Sequence, residues 1–375
     1  MVTAEPHLAS AHPREAEVVK TFRNKGAVTR AQITDITGLS RSTVSAVIGR
    51  LVDEGVVVVA SYDEQPGRGR PTERVEIDRT VVRSIGVDLA HGMVRAVGLS
   101  LLGDQLALSA REHDDTIDWD QRRAIVQEVV GALDLPATLP ALRGIGLGIS
   151  GPVPLPQFDV ETWEPIVADL GRSFSVEVQV DNTTRYAAFA EHTAASNPAD
   201  ITLHLRCFQG VGGAVVRAEE LDRGATGMAG ELGHVQVDPE GAPCRCGKRG
   251  CLETIASTPA VLDECRNREP GIVTLADLHQ ALAEDRKRLG PLLDRVAQAI
   301  AHVLVIASTL IDPDEIILSG DLLDADDSLL AAVEHLYTRS MGERFRAASV
   351  RRSGLDGTAG VLGAALTFTH SHPRP

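Results

Sequence analysis

The chain has 375 residues and a formal net charge of −15, with 43% hydrophobic and only 3% aromatic residues. Length and apolar content predict two or three domains with large cores and exclude a mostly disordered chain, and the scarcity of aromatics argues against a surface that stacks bases on rings. No apolar run approaches the ~20 residues that span a bilayer. The start, Met1 to Arg14, is polar and lacks the apolar stretch of a signal peptide. A cytoplasmic protein that does not engage membranes is therefore expected.

Residues 1–14 read as a disordered tail, and residues 15–80 as a winged helix-turn-helix that binds double-stranded DNA. Between Lys20 and Arg50 six basic residues face a single acid, Asp35, although the whole chain is acidic. A basic module on an acidic body suits a DNA-binding arm attached to a sensor. Val18, Val19 and Phe22 share one face of a first helix. Thr29 and Gln32 have the spacing of a capping box at the start of a second, with Ile33 and Ile36 turned inward, and Gly38 supplies the turn. Ser40 caps a third helix, whose Val44, Val47, Ile48, Leu51 and Val52 form its buried stripe.

The opposite edge of that third helix carries Arg41, Ser42, Thr43, Ser45 and Arg50, small or hydrogen-bonding groups suited to base edges in a major groove. Arg30 joins them as a DNA contact. Val56–Val59 and Val75–Ile77 pair as a wing with Gln65–Arg74 as its tip. Within that tip, Arg68 and Arg70 of the Gly67–Pro71 stretch resemble a hook for an A·T minor groove; a solvated linker is the alternative. A three-helix protein-interaction module is the alternative for the whole segment.

From Ser84 onward short β runs alternate with glycine turns and helices, which predicts an α/β domain. The strand-like runs begin near residues 84, 94, 144, 175, 201, 212 and 316. Leu292–Leu310 reads as one long apolar helix, and residues 369–375 as a disordered tail.

Of five cysteines, three crowd into residues 244–251. With His234 they spell H-x9-C-x-C-x4-C, four N/S ligands suited to a closed tetrahedral zinc site. Gly247 and Gly250 permit the tight turns, and Lys248 and Arg249 favour thiolates. An odd cysteine count in a reducing compartment argues against a disulfide framework. Glu231 and Glu253 flank the ligands, so a metal that holds this segment also holds two acceptors for sugar hydroxyls; ordinary surface glutamates are the alternative.

Ala229–His234 (AGELGH) followed by Cys244–Glu253 (CRCGKRGCLE) resembles the signature of the ROK family of repressors, open reading frames and kinases. The likeness extends over residues 84–368, within a domain taken as 81–368, and the N-terminal module is similar to the family's repressor branch. The resemblance implies a two-lobed, actin-like, ribonuclease-H-like ATPase fold with a sugar site. By position it implies sugar contacts at Gly151, Asn182, Glu231, His234 and Glu253, zinc on His234, Cys244, Cys246 and Cys251, and a homodimer or homotetramer.

Three departures from the family pattern bear on function. The first phosphate loop reads Asp88-Leu89-Ala90-His91-Gly92, with a Cβ and no hydroxyl where the family has glycine and threonine. Thr183 stands where kinases carry the aspartate base, and Asp181 is two positions away. The loop after Gly151–Pro154 is shorter than usual. The implied protein is a carbohydrate-responsive repressor without kinase activity, tuned by a sugar or sugar phosphate. The alternatives are a working ATP-dependent sugar kinase with a DNA-binding arm, and a regulator that ignores small ligands.

Overall fold

The computed structural model describes residues 13–63, 72–114, 116–136, 139–151, 163–343 and 345–369. The expected tip Arg68/Arg70, the loop after Gly151 and most of both tails lie outside them. The tail boundaries shift slightly: the first helix already includes Pro13 and Arg14, and the last includes Thr369.

The N-terminal module runs α1 (Pro13–Lys25), β1 (Val28–Thr29), α2 (Arg30–Thr37), α3 (Arg41–Asp53), β2 (Val57–Asp63) and β3 (Thr72–Ile77). Local chemistry sets the helix ends. Thr29 and Gln32 form the capping box, and Gly38 ends α2 in the left-handed region at φ +71°, where a Cβ would be strained. Ser40 Oγ then accepts the Thr43 N–H to start α3. β3 lies between β1 and β2, with Val57 opposite Ile77 and Val59 opposite Val75, which is the expected wing pairing.

The buried stripe is narrower than expected. Val44, Val47, Ile48 and Leu51 are buried, but Val52 is 40% exposed. Ile36 is 54% exposed, because α2 has only eight residues and its last turn reaches past the packing that covers Ile33.

The rest of the chain repeats one strand order twice. β4 (Ser84–Ala90), β5 (Met93–Leu99) and β6 (Gln105–Glu112) form an antiparallel meander. After α4 (Trp119–Gly131), β7 (Gly144–Ile149), α5 (Glu164–Phe174) and β8 (Glu177–Asn182), the sheet reads β6-β5-β4-β7-β8. α6 (Thr183–Ala194) then leads into β9 (Ile201–Cys207), β10 (Val211–Arg217) and β11 (Glu220–Asp222). Later come α7 (Glu253–Ala256), α8 (Thr258–Arg268), α9 (Leu275–Asp285), α10 (Gly290–Ile311), β12 (Glu315–Gly320), α11 (Asp321–Ala325), α12 (Asp327–Met341), β13 (Ser349–Arg352) and α13 (Ala359–Thr369). Their sheet reads β11-β10-β9-β12-β13. Two sheets with this order, each a three-strand meander joined at its first strand to two later strands, are the actin-like, ribonuclease-H-like arrangement.

The chain groups into two compact units. One comprises residues 1–148, 161–180 and 364–375; the other comprises 149–160 and 181–363. The boundary expected at 80/81 does not divide them, because the winged helix shares its core with the first sheet's lobe. Leu101 and Ala141 are buried in the same apolar cluster as Phe22, Ile33 and Ile48. In the second unit α10 is the central helix. It is long and apolar enough by composition to cross a membrane, yet most of its apolar window is buried in this unit's core.

Backbone contact fixes β7. A Cβ on Gly146 would lie 2.0 Å from the Ala364 carbonyl oxygen of α13, whereas one on Gly49 in α3 meets nothing within 4 Å. Gly146→Ala should therefore cost about 3 kcal/mol, while Gly49→Ala should gain roughly 1 kcal/mol by helix propensity. Urea unfolding of the two variants followed by circular dichroism checks both signs.

Candidate functional site

Two groups of residues carry chemistry, one on α3 and one in the second unit. On α3, Arg41, Ser42 and Ser45 are exposed and Thr43 is half-buried. The Ser40 hydroxyl lies 2.8 Å from those of both Ser42 and Thr43, so the first turn is a preorganised cluster of hydroxyls. Arg30 is exposed at the start of α2, 3.5 Å from Glu73 of β3. Arg50 departs from the expected reading: its guanidinium is turned inward onto the carboxylate of Glu15 in α1. Glu15 itself was missed in the sequence.

In the second unit, a 3-10 turn at Leu232–His234 presents His234 to the cysteine loop. The ligand atoms of His234, Cys244, Cys246 and Cys251 all lie within 4.8 Å of one another. Cys244 Sγ is 3.6 Å from His234 Nδ1, and Cys246 Sγ is 3.6 Å from Cys251 Sγ. Metal–sulfur bonds of ~2.3 Å around a tetrahedral ion give edges of about 3.8 Å. The four donors are therefore close enough together to hold a single metal ion. Burial first, then the neighbouring thiols, push Cys251 up to about 12.

The segment is seated by backbone contacts. A Cβ on Gly233 would lie 1.9 Å from the Val211 carbonyl oxygen, and one on Gly213 would lie 2.4 Å from that of Gly230. A Cβ on Gly212 would meet Thr184 Oγ1 at 2.4 Å. The loop Gln209–Gly213 is thus glycine-rich because the cysteine segment and α6 press against it.

Asn182 is the N-cap of α6: its Oδ1 accepts the Thr184 N–H at 2.6 Å, and its Nδ2 donates to the Gly151 carbonyl at 2.5 Å. Glu253 starts α7 and accepts from the Val211 N–H at 3.0 Å. Arg245, between two of the cysteines, grips both Glu253 oxygens at 2.8 and 2.9 Å. Burial raises the Glu231 carboxyl above its ordinary value, opposed by Arg185 and then His234. Glu253 adds a repulsive charge to Glu231, so these acids and His234 share one electrostatic neighbourhood. Of the five expected sugar contacts, Glu253 alone lines the adjoining 440 Å³ cavity, together with Gln209, Arg245, Ser257, Asp263 and Arg295.

Asp181, the only carboxylate within two positions of Thr183, is occupied. It accepts from Arg185 at 2.9 Å, Arg223 at 2.7 Å and the Asn182 N–H at 2.7 Å. Arg185 also donates to the Gly227 and Ala229 carbonyls.

A winged helix followed by duplicated ribonuclease-H-like sheets, with a His/Cys3 cluster in the second, defines a DNA-binding module joined to a sugar-kinase-like body. The ROK family pattern matches residues 91–371, and a winged helix-turn-helix DNA-binding pattern matches residues 17–58. The chain belongs to the ROK family. It is 26% identical to the N-acetylglucosamine repressor of Escherichia coli O6:H1, over 94% of this chain and 91% of that one. It is 31% identical to the glucokinase of Halalkalibacterium halodurans, over 59% of this chain and 74% of that one. A solved ROK family transcriptional regulator, a homologue of the E. coli MLC protein, superposes with a TM-score of 0.76 at 22% identity. The match covers 95% of this chain and 96% of that one.

Removing the Asp181 carboxylate would strand the buried Arg185 guanidinium. Asp181→Ala should cost about 3 kcal/mol of stability, measured by chemical denaturation, whereas Asp222→Ala at an exposed position should be nearly neutral.

Proposed function

We propose that this protein is a cytoplasmic transcriptional repressor of carbohydrate uptake or metabolism genes, whose grip on a DNA operator is set by a sugar or sugar phosphate bound in the second unit. The observation that carries the reading is the exposed first turn of α3, where Arg41, Ser42 and Ser45 stand clear of the core beside a hydroxyl cluster. Its support is a near full-length likeness to a named sugar repressor. In this reading Arg41, Ser42, Thr43 and Ser45 enter the major groove, with Arg30 on the adjacent backbone. A homodimer or homotetramer would set two such helices on a palindromic site. Gly151, Asn182, Glu231, His234 and Glu253 would form the effector site. The glucokinase likeness makes phosphoryl transfer the second reading, but Asp181, the carboxylate next to Asn182 in the chain, is bound by two arginines.

The test is fluorescence anisotropy with DNA from the gene's own upstream region, against random DNA and at several salt concentrations. Wild type should prefer the upstream DNA, and Arg41→Ala and Ser42→Ala should each lose about 1–3 kcal/mol of that preference. A sugar panel should include a compound that shifts the affinity, because a ligand switches only by binding two states unequally. No preference over random DNA would sink the reading, and steady ADP release from ATP and a hexose would replace it with the kinase.

The cysteine segment would hold one structural zinc on His234, Cys244, Cys246 and Cys251, which orients the loop and carries Arg245 to Glu253. Metal analysis should find about one zinc per chain. Cys251→Ala should lose that zinc and lower the melting temperature. Unchanged zinc content in the variant would refute the ligand set.

A further inference from the structure

Glu15 is 0% exposed, which is an unusual place for a carboxylate, and its neighbours come from far along the chain. Arg143, in the residue before β7, bonds both of its oxygens at 2.9 and 3.1 Å. Arg83, in the residue before β4 and only 1% exposed, lies 3.8 Å from it. Arg83 also forms an ion pair with Glu54, the C-cap of α3, at 2.7 Å and donates to the Ala141 carbonyl at 2.8 Å. The fifth member is Arg50 of α3, whose guanidinium closes on Glu15. Three arginines and two glutamates thus tie both ends of one helix turn, at Arg50 and Glu54, to strand starts of the same compact unit.

The charges cannot be separated cheaply. Burial alone would raise the Glu15 carboxyl, but Arg143 first, then Arg50 and Arg83, hold it below its ordinary value. Burial and then the nearby Arg143 bring the Arg83 guanidinium down to about 10. A buried charge that loses its partner is far more costly than the intact pair is stabilising. Arg50 is therefore held by the protein interior, even though its side chain is 40% exposed. It also sits nine residues past Arg41, roughly 13 Å along the helix from the reading end.

We propose that Glu15 is a positioning residue for the DNA-reading helix: through Arg50 it clamps α3 to Arg83 and Arg143 of the adjoining lobe, and Arg50 acts as part of this clamp instead of as a DNA contact. The inference rests on α3 being the reading helix, and it revises the role expected for Arg50 in the sequence. An arginine that neutralises a phosphate adds about one to the slope of log affinity against log salt. A clamp residue fixes geometry and leaves the slope alone.

The test uses the full chain with Arg50→Gln, Arg50→Lys, Glu15→Gln and, as the contact control, Arg41→Gln. Hydrogen exchange is followed in α3, and operator affinity is titrated against salt. Arg50→Gln should speed exchange across Val47–Leu51 several-fold with peptides of the second unit unchanged, and weaken operator binding roughly tenfold with an unaltered salt slope. Arg50→Lys should restore most of the affinity, and Glu15→Gln should reproduce the Arg50→Gln effects. A slope shallower by about one in Arg50→Gln would make Arg50 a phosphate contact and overturn the proposal. Unchanged α3 exchange would overturn it equally. Should Glu15→Gln fail to fold, the exposed-side variants at Arg50 still decide the matter. If wild type shows no operator preference, the repressor reading falls, and the exchange measurement alone judges the clamp.

Discussion

The second unit depends on main chains that approach more closely than any side chain would permit. Gly233 against Val211, Gly213 against Gly230 and Gly250 against the Asp238 carbonyl leave no room for a methyl group. These contacts hold the β9–β10 hairpin, the 3-10 turn at His234 and the cysteine loop as one stack. The stack brings the three thiols to one imidazole and puts Arg245 on Glu253. Glycine is thus used here for distance, and these residues serve as packing surfaces.

The first unit is organised differently, by charge. Its winged helix has no independent core boundary: Leu101 and Ala141 of the adjoining lobe pack into the cluster that contains Phe22 and Ile48. Beside this shared core lies the Glu15 network. Apolar contact gives adhesion without direction, whereas ion pairs with defined partners fix register. Together they make the DNA-binding module part of a larger body, where the sequence had suggested an arm attached to a sensor.

What could be read from the sequence was what is local. The Thr29/Gln32 capping box, the Ser40 cap and the Gly38 turn each involve residues at most four apart, so spacing alone reveals them. The cysteine motif was equally legible, because a tetrahedral site built from tight turns leaves its ligands close in the chain. The strands β4, β5, β7, β9, β10 and β12 announced themselves as apolar runs. β6 and β13 did not, because they lie at sheet edges and carry charged residues such as Arg111, Glu112, Arg351 and Arg352. The role of Glu15 was invisible for another reason: its partner Arg143 is 128 residues away, and no pattern within α1 distinguishes it from a solvated acid. Ile36 and Val52 misled because periodicity marks a face but not whether anything covers it.

Close backbone contact also limits how β7 can move. β7 follows directly on Arg143 and ends two residues before Gly151, whose carbonyl holds the Asn182 amide. Six strand residues span about 20 Å, and Gly146 at the third position of β7 has no free space against α13. Such a strand can shift or stay, but it cannot bend gradually, since packed backbones have discrete arrangements and no continuous range between them.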